Sequence, residues 1–430
     1  MRRRVVITGM GVITPLGHTV EHLYNSQVEG RTAVGPLTRF DARTMPTTFA
    51  SEVKGFELDR YLRDPRRYAH CGVNTQFAIG ATREALADAG LLDEGRGDRG
   101  RMGVYLGSGE GAEDFPALIN SIAAATNDVG KADPAAFETA ILKVLNRERE
   151  AEVEMHTTCG HLAHLFALDG PNFACQTACA ASSQAIGEAA ELIRAGDADV
   201  FAAGGSHSML HPLGITGFNR LTALSQRNES PRTASRPFDL TRDGFVIGEG
   251  AGIVILEELE HAKARKAPVY AELTGYGTTA DAYRMTDPHP QGKGAVRAMA
   301  DALADAGLRP TDIGYINAHG TSTQANDSAE TAAIKAVFGE YAYKVPVSSS
   351  KSMLGHLIAA AGVVELVIAV MALRKGVLPP TINYQTPDPE CDLDYIPNTA
   401  REKRVDHVLS NSFGFGGQNI SLTVSRFKEG

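Results

Sequence analysis

Residues 172–196 read NFACQTACAASSQAIGEAAELIRAG: a short strand-like run, a turn of small residues, then a helix-forming stretch ending Arg-Ala-Gly. Residues 345–376, VPVSSSKSMLGHLIAAAGVVELVIAVMALRKG, follow the same plan and end Arg-Lys-Gly. Ala-Ala-Glu-Leu lies in the first helix and Val-Val-Glu-Leu in the second, and a further strand candidate follows each. This predicts an internal duplication. Two similar helices would pack against each other at the centre, with their N-termini facing one site.

Outward from these segments, apolar runs of strand length alternate with helical stretches, the pattern of an α/β layered body. Strands are predicted at residues 5–8, 102–106, 200–203, 252–256, 315–318 and 420–424, besides those in the two segments. Helices are predicted at 72–89, 181–195, 293–306, 327–338 and 357–375. The first strand is expected to end in a turn at Gly9 and Gly11. The length of 430 residues exceeds one typical core, so two domains or two similar halves are expected.

The net charge of -9 gives no general attraction to nucleic acid or to an anionic membrane, so any acidic partner must meet a local basic patch. Five scattered cysteines without a CxxC pair point to a reducing, cytoplasmic setting rather than a disulfide framework. The basic start, residues 1–17, is interrupted by Gly9, Gly11 and Pro15 and lacks a small-residue cleavage site, unlike a signal peptide. Residues 357–373 are nearly all apolar but carry Glu365 at their middle, which fits a buried core helix better than a membrane span.

Four segments carry chemistry. Cys179 sits where strand gives way to helix, a position whose dipole favours thiolate and whose small neighbours leave room for an acyl group. Local pattern alone leaves it equally open to being a buried structural cysteine, which is the reading for Cys175. His319 follows a strand directly and precedes glycine and three hydroxyl residues, in a loop of the kind that carries catalytic groups. Lys351 is assigned to a turn and His356, five residues on, to the first turns of the long apolar helix. The dipole there is expected to keep His356 neutral. Pairing of Lys351 with Glu365 would explain an acid inside an apolar helix; the alternative is another donor for Glu365. Finally, residues 411–419, NSFGFGGQN, form a glycine-rich loop whose amides could approach an oxyanion.

Together these segments closely resemble the β-ketoacyl-[acyl-carrier-protein] synthases, in particular the elongating type II branch of the thiolase-like condensing enzymes. Further matches are VVITGMG near the start, SRPFDLTRDGFVIGEGAG at 235–252 and LPPTIN at 378–383. The resemblance implies a duplicated five-layer αβαβα fold, with one half at residues 1–258, bearing a cap insertion at about 114–155, and the other at 259–430. It implies that Cys179 accepts an acyl chain, with the amides of Cys179 and Phe415 as oxyanion hole. His319 and His356 would stabilise the enolate left when a malonyl thioester loses its carboxylate. Lys351 would hold the geometry of the site, with Glu365, Thr321, Thr323 and Asp327 in support, and Phe415 would gate entry of the malonyl unit. The implied partners are an acyl carrier protein docked at Arg66 and Arg67, acyl and malonyl thioesters, and a second subunit, a homodimer with a heterodimer as the alternative. Neither cofactor nor metal is implied, and neither nucleic acid nor a membrane is an expected partner.

Three features depart from the family pattern. Residues 114–155 are longer than expected and include a charged helix-like run at 134–154. His156, Cys159, His161 and His164 crowd nine residues; a His-rich helix is the preferred reading over a metal site, because zinc ligands usually come as paired spacings. Thr222 stands where an arginine is frequent, and Arg220 is the candidate substitute.

Rival readings are weaker. Gly9-Met-Gly hints at dinucleotide binding but lacks the third glycine and the later acid. A thiolase would need a second cysteine near the C-terminus, and a chain-length-factor-like subunit would lack the nucleophile. The nearest alternative is the ketosynthase subunit of a type II polyketide system.

Overall fold

The computed structural model describes residues 2–93, 97–108 and 114–429. Among them, ten strands join one sheet: β1 (Val5–Ile13), β2 (Met102–Ser108), β3 (Asn172–Cys175), β4 (Val200–His207), β5 (Gly250–Glu258), β6 (Ala271–Ala280), β7 (Tyr315–Asn317), β8 (Val347–Ser348), β9 (His407–Gly414) and β10 (Gln418–Ser425). Their spatial order is β8-β7-β9-β10-β6-β1-β5-β4-β2-β3. The first five strands run outward from the middle as β1-β5-β4-β2-β3 and the last five as β6-β10-β9-β7-β8, which is one order used twice. Directions repeat as well: the two pairings nearest the middle of each set are antiparallel and the two outermost parallel. The sets meet only through Val6 opposite Glu272 and Ile7 opposite Ala271. The duplication expected from the sequence is therefore a property of the fold.

Helices α1 (Val73–Asp88) and α3 (Lys293–Ala306) cover the outer faces, α1 on β1 and β5, α3 on β6 and β10. Between the two sets lie α2 (Ala181–Ala195) and α5 (Ala361–Lys375), which pack on each other and on strands of both sets. The result is an αβαβα layering, the thiolase-like fold. Helix α4 (Gln324–Phe338) packs against α3.

The central helices also correct how the repeat was read. Each spans 15 residues, each follows a one-turn 3-10 helix (Ala178–Ala180 and Ile358–Ala360), and each ends on a left-handed glycine, Gly196 or Gly376. The residues that open the two turns, Ala178 and Ile358, both have positive φ (47° and 45°). In this superposition Glu191 matches Met371 and Glu365 matches Ala185, so Ala-Ala-Glu-Leu and Val-Val-Glu-Leu are not equivalent. Position 359, the counterpart of Cys179, is alanine.

Helix α5 is buried from Ala361 to Leu373. Its predicted start at residue 357 was too early, because the positive φ of Ile358 breaks the α-helical run. Among the described residues no helix is long and apolar enough to cross a membrane. The first strand does not turn at Gly9 and Gly11 but continues to Ile13. A Cβ at Gly9 would come within 2.3 Å of the Ala85 carbonyl oxygen, and one at Gly11 within 2.1 Å of that of Ala81. Both glycines let α1 lie directly on the strand, and no turn is left to cradle a dinucleotide. Residues 134–154 divide into Pro134–Val144 and Arg147–Ala151, preceded by Phe115–Ala125.

Candidate active site

The paired turns place their N-terminal ends together beneath a cleft of about 420 Å³, lined by Cys179, His319, His356, Phe413, Phe415, Thr321 and Thr323 among others. The Cys179 sulfur and one ring nitrogen from each of His319 and His356 lie within 4.8 Å of one another. The imidazole centroids are 5.4 Å apart with planes at 82°.

Cys179 is 5% exposed. Burial pushes its thiol up to about 11, opposed by Lys351 and by hydrogen bonds from the backbone amides of Phe415 and of Cys179 itself. This corrects the expectation that the helix terminus would favour thiolate, since desolvation outweighs the favourable field. The two amides that meet the sulfur are those the family resemblance implies as an oxyanion hole. The loop bearing Phe415 comes this close because residue 414 is glycine: a Cβ there would lie 2.8 Å from the Thr177 carbonyl oxygen. Gly416 and Gly417, at φ of 88° and 78°, then turn the chain from β9 into β10.

His319 is fixed from two sides. Its backbone N–H and that of Gly320 donate to the two carboxylate oxygens of Glu330 at 2.9 and 2.8 Å. The Lys351 ammonium donates to the His319 carbonyl oxygen at 2.7 Å and lies 3.4 Å from its Nδ1. An ammonium beside Nδ1 selects the tautomer with the proton on Nε2. His356 reaches the same tautomer differently. It does not belong to the first turns of α5 but lies in an extended bridge opposite Ile247, and its Nδ1 accepts the Ile358 N–H at 3.2 Å. Its Nε2 is buried and has no protein partner. Burial, then Lys351, holds both imidazoles well below the usual histidine range, so both are neutral. The helix dipole expected to do this for His356 is not needed.

Lys351, in the short helix Lys351–Leu354, pairs with Glu365 at 2.5 Å in a fully buried contact. Burial pushes the Glu365 carboxyl up to about 7, with Lys351 drawing it back down. Asp327 does not reach the cleft: it accepts the Phe238 and Ser322 N–H groups at 2.8 and 3.3 Å and faces Arg242 at 3.7 Å. Thr321 and Thr323 share a hydroxyl contact of 2.9 Å at the cleft wall. Arg66 and Arg67 lie apart from the cleft, exposed on the 3-10 turn Pro65–Tyr68, with Arg60, Arg63 and Arg83 lining the same surface hollow as Arg67. Thr222 and Arg220 are both exposed, and Thr222 lines the cleft mouth in a left-handed conformation (φ 53°).

Sequence reasoning missed Glu330. An acid in the Ala-rich run Ala-Glu-Thr-Ala-Ala-Ile (329–334) was its only signal, because what it holds is backbone. Of the four crowded residues near 160, His161 is the one that joins a cluster of ligating groups among the described residues. Cys159 donates to the Phe173 carbonyl oxygen at 3.2 Å, and His156 is exposed.

Residues 2–262 match the model of the beta-ketoacyl synthase N-terminal domain, and residues 270–385 that of the C-terminal domain. The chain belongs to the beta-ketoacyl synthase family. It is 45% identical over 430 residues to 3-oxoacyl-[acyl-carrier-protein] synthase 2 of Coxiella burnetii, and 44% over 432 residues to that of Synechocystis sp., with 99% of each chain covered in both cases. A solved beta-ketoacyl synthase from Burkholderia phymatum superposes with a TM-score of 0.89 at 36% identity, covering 99% of this chain and all of the other. A type II polyketide ketosynthase, solved with its acyl-carrier protein and bound to a hexaketide, gives 0.87 at 35%, with both chains fully covered. As a beta-ketoacyl synthase, this enzyme is an acyltransferase.

Proposed function

We propose that this synthase condenses a Cys179-bound acyl chain with malonyl-[acyl-carrier-protein], giving a β-ketoacyl-[acyl-carrier-protein] two carbons longer, in fatty acid synthesis. The observation that carries this reading is one nucleophilic thiol facing two neutral imidazoles that each present an N–H. In the first stage the Cys179 sulfur attacks an acyl-carrier thioester. The amides of Cys179 and Phe415 hold the oxyanion, and the carrier thiol leaves with the proton. A malonyl thioester then loses carbon dioxide, and the electron pair of the broken C–C bond becomes an enolate whose oxygen accepts from His319 and His356 Nε2–H. Donors fixed before the charge develops stabilise the transition state more than the ground state. The enolate carbon attacks the Cys179 thioester, a C–C bond forms, and the C–S bond breaks to release the cysteine as thiolate, which takes up a proton from solvent to restore the resting thiol. Lys351 and Glu365 keep His319 in place, and Phe415 gates the cleft.

The relatives named synthase 2 match at 41–45% identity over nearly the whole chain, against 35% for the type II polyketide ketosynthase, which favours elongation over the polyketide reading. An acidic carrier protein would dock on Arg66, Arg67 and the arginines beside them. The proposed division of the chain is 1–258 and 259–430. The assembly is a homodimer through β3, a sheet edge that exposes Phe173. All five cysteines are free, in keeping with a reducing cytoplasm.

Incubating the enzyme with acyl- and malonyl-carrier thioesters tests this. Mass spectrometry should show a β-ketoacyl-carrier product heavier by two carbons, and sedimentation a dimer of one chain. Turnover appearing only after a second, different ketosynthase-like subunit is added would favour the heterodimeric alternative.

A further inference from the structure

A second cluster of ligating side chains lies away from the cleft, where the stretch before Thr157–Phe166 meets the body. His70 and Cys71 precede α1, Glu152 follows Arg147–Ala151, and His161 lies in Thr157–Phe166. One ligand atom from each falls within 4.8 Å of all the others. His161 Nε2 is 2.7 Å from Glu152 Oε1 and 3.5 Å from the Cys71 sulfur, while His70 Nε2 is 3.8 Å from that sulfur and 3.9 Å from Glu152 Oε1. A zinc tetrahedron with bonds of about 2.3 Å to sulfur and about 2.0–2.1 Å to nitrogen or oxygen has edges of roughly 3.3–3.6 Å. Three of the four measured edges are at or slightly beyond that range, and the His161–Glu152 hydrogen bond must open by roughly half an ångström to reach it.

Two further observations point to a cation. Glu152 is 5% exposed and its Oε2 is buried without a partner, an expensive state for a carboxylate. It is also the one buried residue between positions 126 and 155, a stretch otherwise exposed or half-exposed. One thiolate, one carboxylate and two neutral imidazoles balance a divalent charge.

We propose that His70, Cys71, Glu152 and His161 form a structural zinc site that clasps the 114–155 stretch to the body of the enzyme. Binding replaces the Cys71 thiol proton with the metal and releases that proton to solvent, with no change of oxidation state. The site lies under the docking arginines, because the Tyr68 ring next to Arg67 packs edge-on against His161 at 5.4 Å. It does not depend on the condensation reading.

The test is metal analysis of the full-length protein after dialysis against zinc, repeated with cobalt. The expected result is one equivalent per chain and a thiolate-to-cobalt charge-transfer band, both kept in Cys179→Ala and lost in Cys71→Ser. Zinc should also protect the exposed 126–150 segment from proteolysis in the wild type. A band that survives in Cys71→Ser or disappears in Cys179→Ala overturns the proposal, as does the absence of stoichiometric metal. Should Cys71→Ser fail to fold by circular dichroism, Glu152→Gln decides: weaker zinc binding supports the site, and unchanged affinity overturns it.

Discussion

Cys179 rests as a neutral thiol, and that has a kinetic signature. With its thiol pushed up to about 11, the thiolate fraction at neutral pH is small and increases with every step toward that value. Acyl transfer to Cys179, followed as adduct formation by mass spectrometry, should accelerate roughly tenfold per pH unit between about pH 6 and about pH 9. A plateau already at neutral pH would place the nucleophile in thiolate form. The histidines predict the opposite profile. Both are held well below the usual range, so protonation would begin only in acid and malonyl decarboxylation should stay flat from about pH 6 to about pH 8. Glu330→Ala frees the His319 and Gly320 amides and should slow decarboxylation by roughly 10- to 100-fold while Cys179 still acylates. Cys179, His319, Lys351 and His356 were legible as residues because each stands in an unusual local pattern. Glu330 was not, since its role lies in backbone contacts that only the fold creates. The thiol's protonation state was misjudged because burial cannot be read from a turn's composition.

At the scale of elements, α2 and α5 decide the site by bringing two one-turn helices end to end. They meet closely because residue 362 is glycine: a Cβ there would fall 2.0 Å from Ser183 Oγ, and the neighbouring Val363 N–H donates to Ser182 Oγ at 3.0 Å. Gly362→Leu should force the helices apart, costing about 1–3 kcal/mol or more in denaturant unfolding and lowering both half-reactions together. Unchanged stability would mean the helices slide without cost. The predicted limits of α2 and α3 match the structure, where each helix stops at a left-handed glycine, Gly196 or Gly307. Strands β6 and β9 were missed: in β6 two of the buried positions are glycines, Gly275 and Gly277, alternating with half-exposed Thr274 and Tyr276, and β9 mixes polar residues into its buried run. The duplication was visible through shared strand-turn-helix rhythm, although the tetrapeptides offered in its support are six residues out of register.

Across the whole molecule, charge and exposure divide labour between surfaces. A net charge of -9 repels an acidic carrier protein, so the proposed docking relies on a local basic surface, for which Arg60, Arg63, Arg66 and Arg67 are the candidates. Replacing Arg66 and Arg67 together by glutamate should raise KM for acyl-carrier thioester about tenfold and weaken its salt dependence, while turnover of a small pantetheine thioester is unchanged. Equal losses on both substrates would move docking elsewhere. The two-set sheet, its joining at β1 and β6 and the central helix pair follow from the duplication, which the sequence announced. How residues 114–155 lie on the body did not follow from it, because only Glu152 reaches inward after Ala125.

The central claim is that one thiol carries the acyl chain while two neutral imidazoles serve decarboxylation. It is tested most directly in His319→Ala, by measuring Cys179 acylation from an acyl-carrier thioester and carbon dioxide release from a malonyl-carrier thioester in the same preparation. The account predicts that the acyl adduct still forms on Cys179 and that carbon dioxide release falls to background; an unacylated Cys179 with carbon dioxide release intact would contradict it.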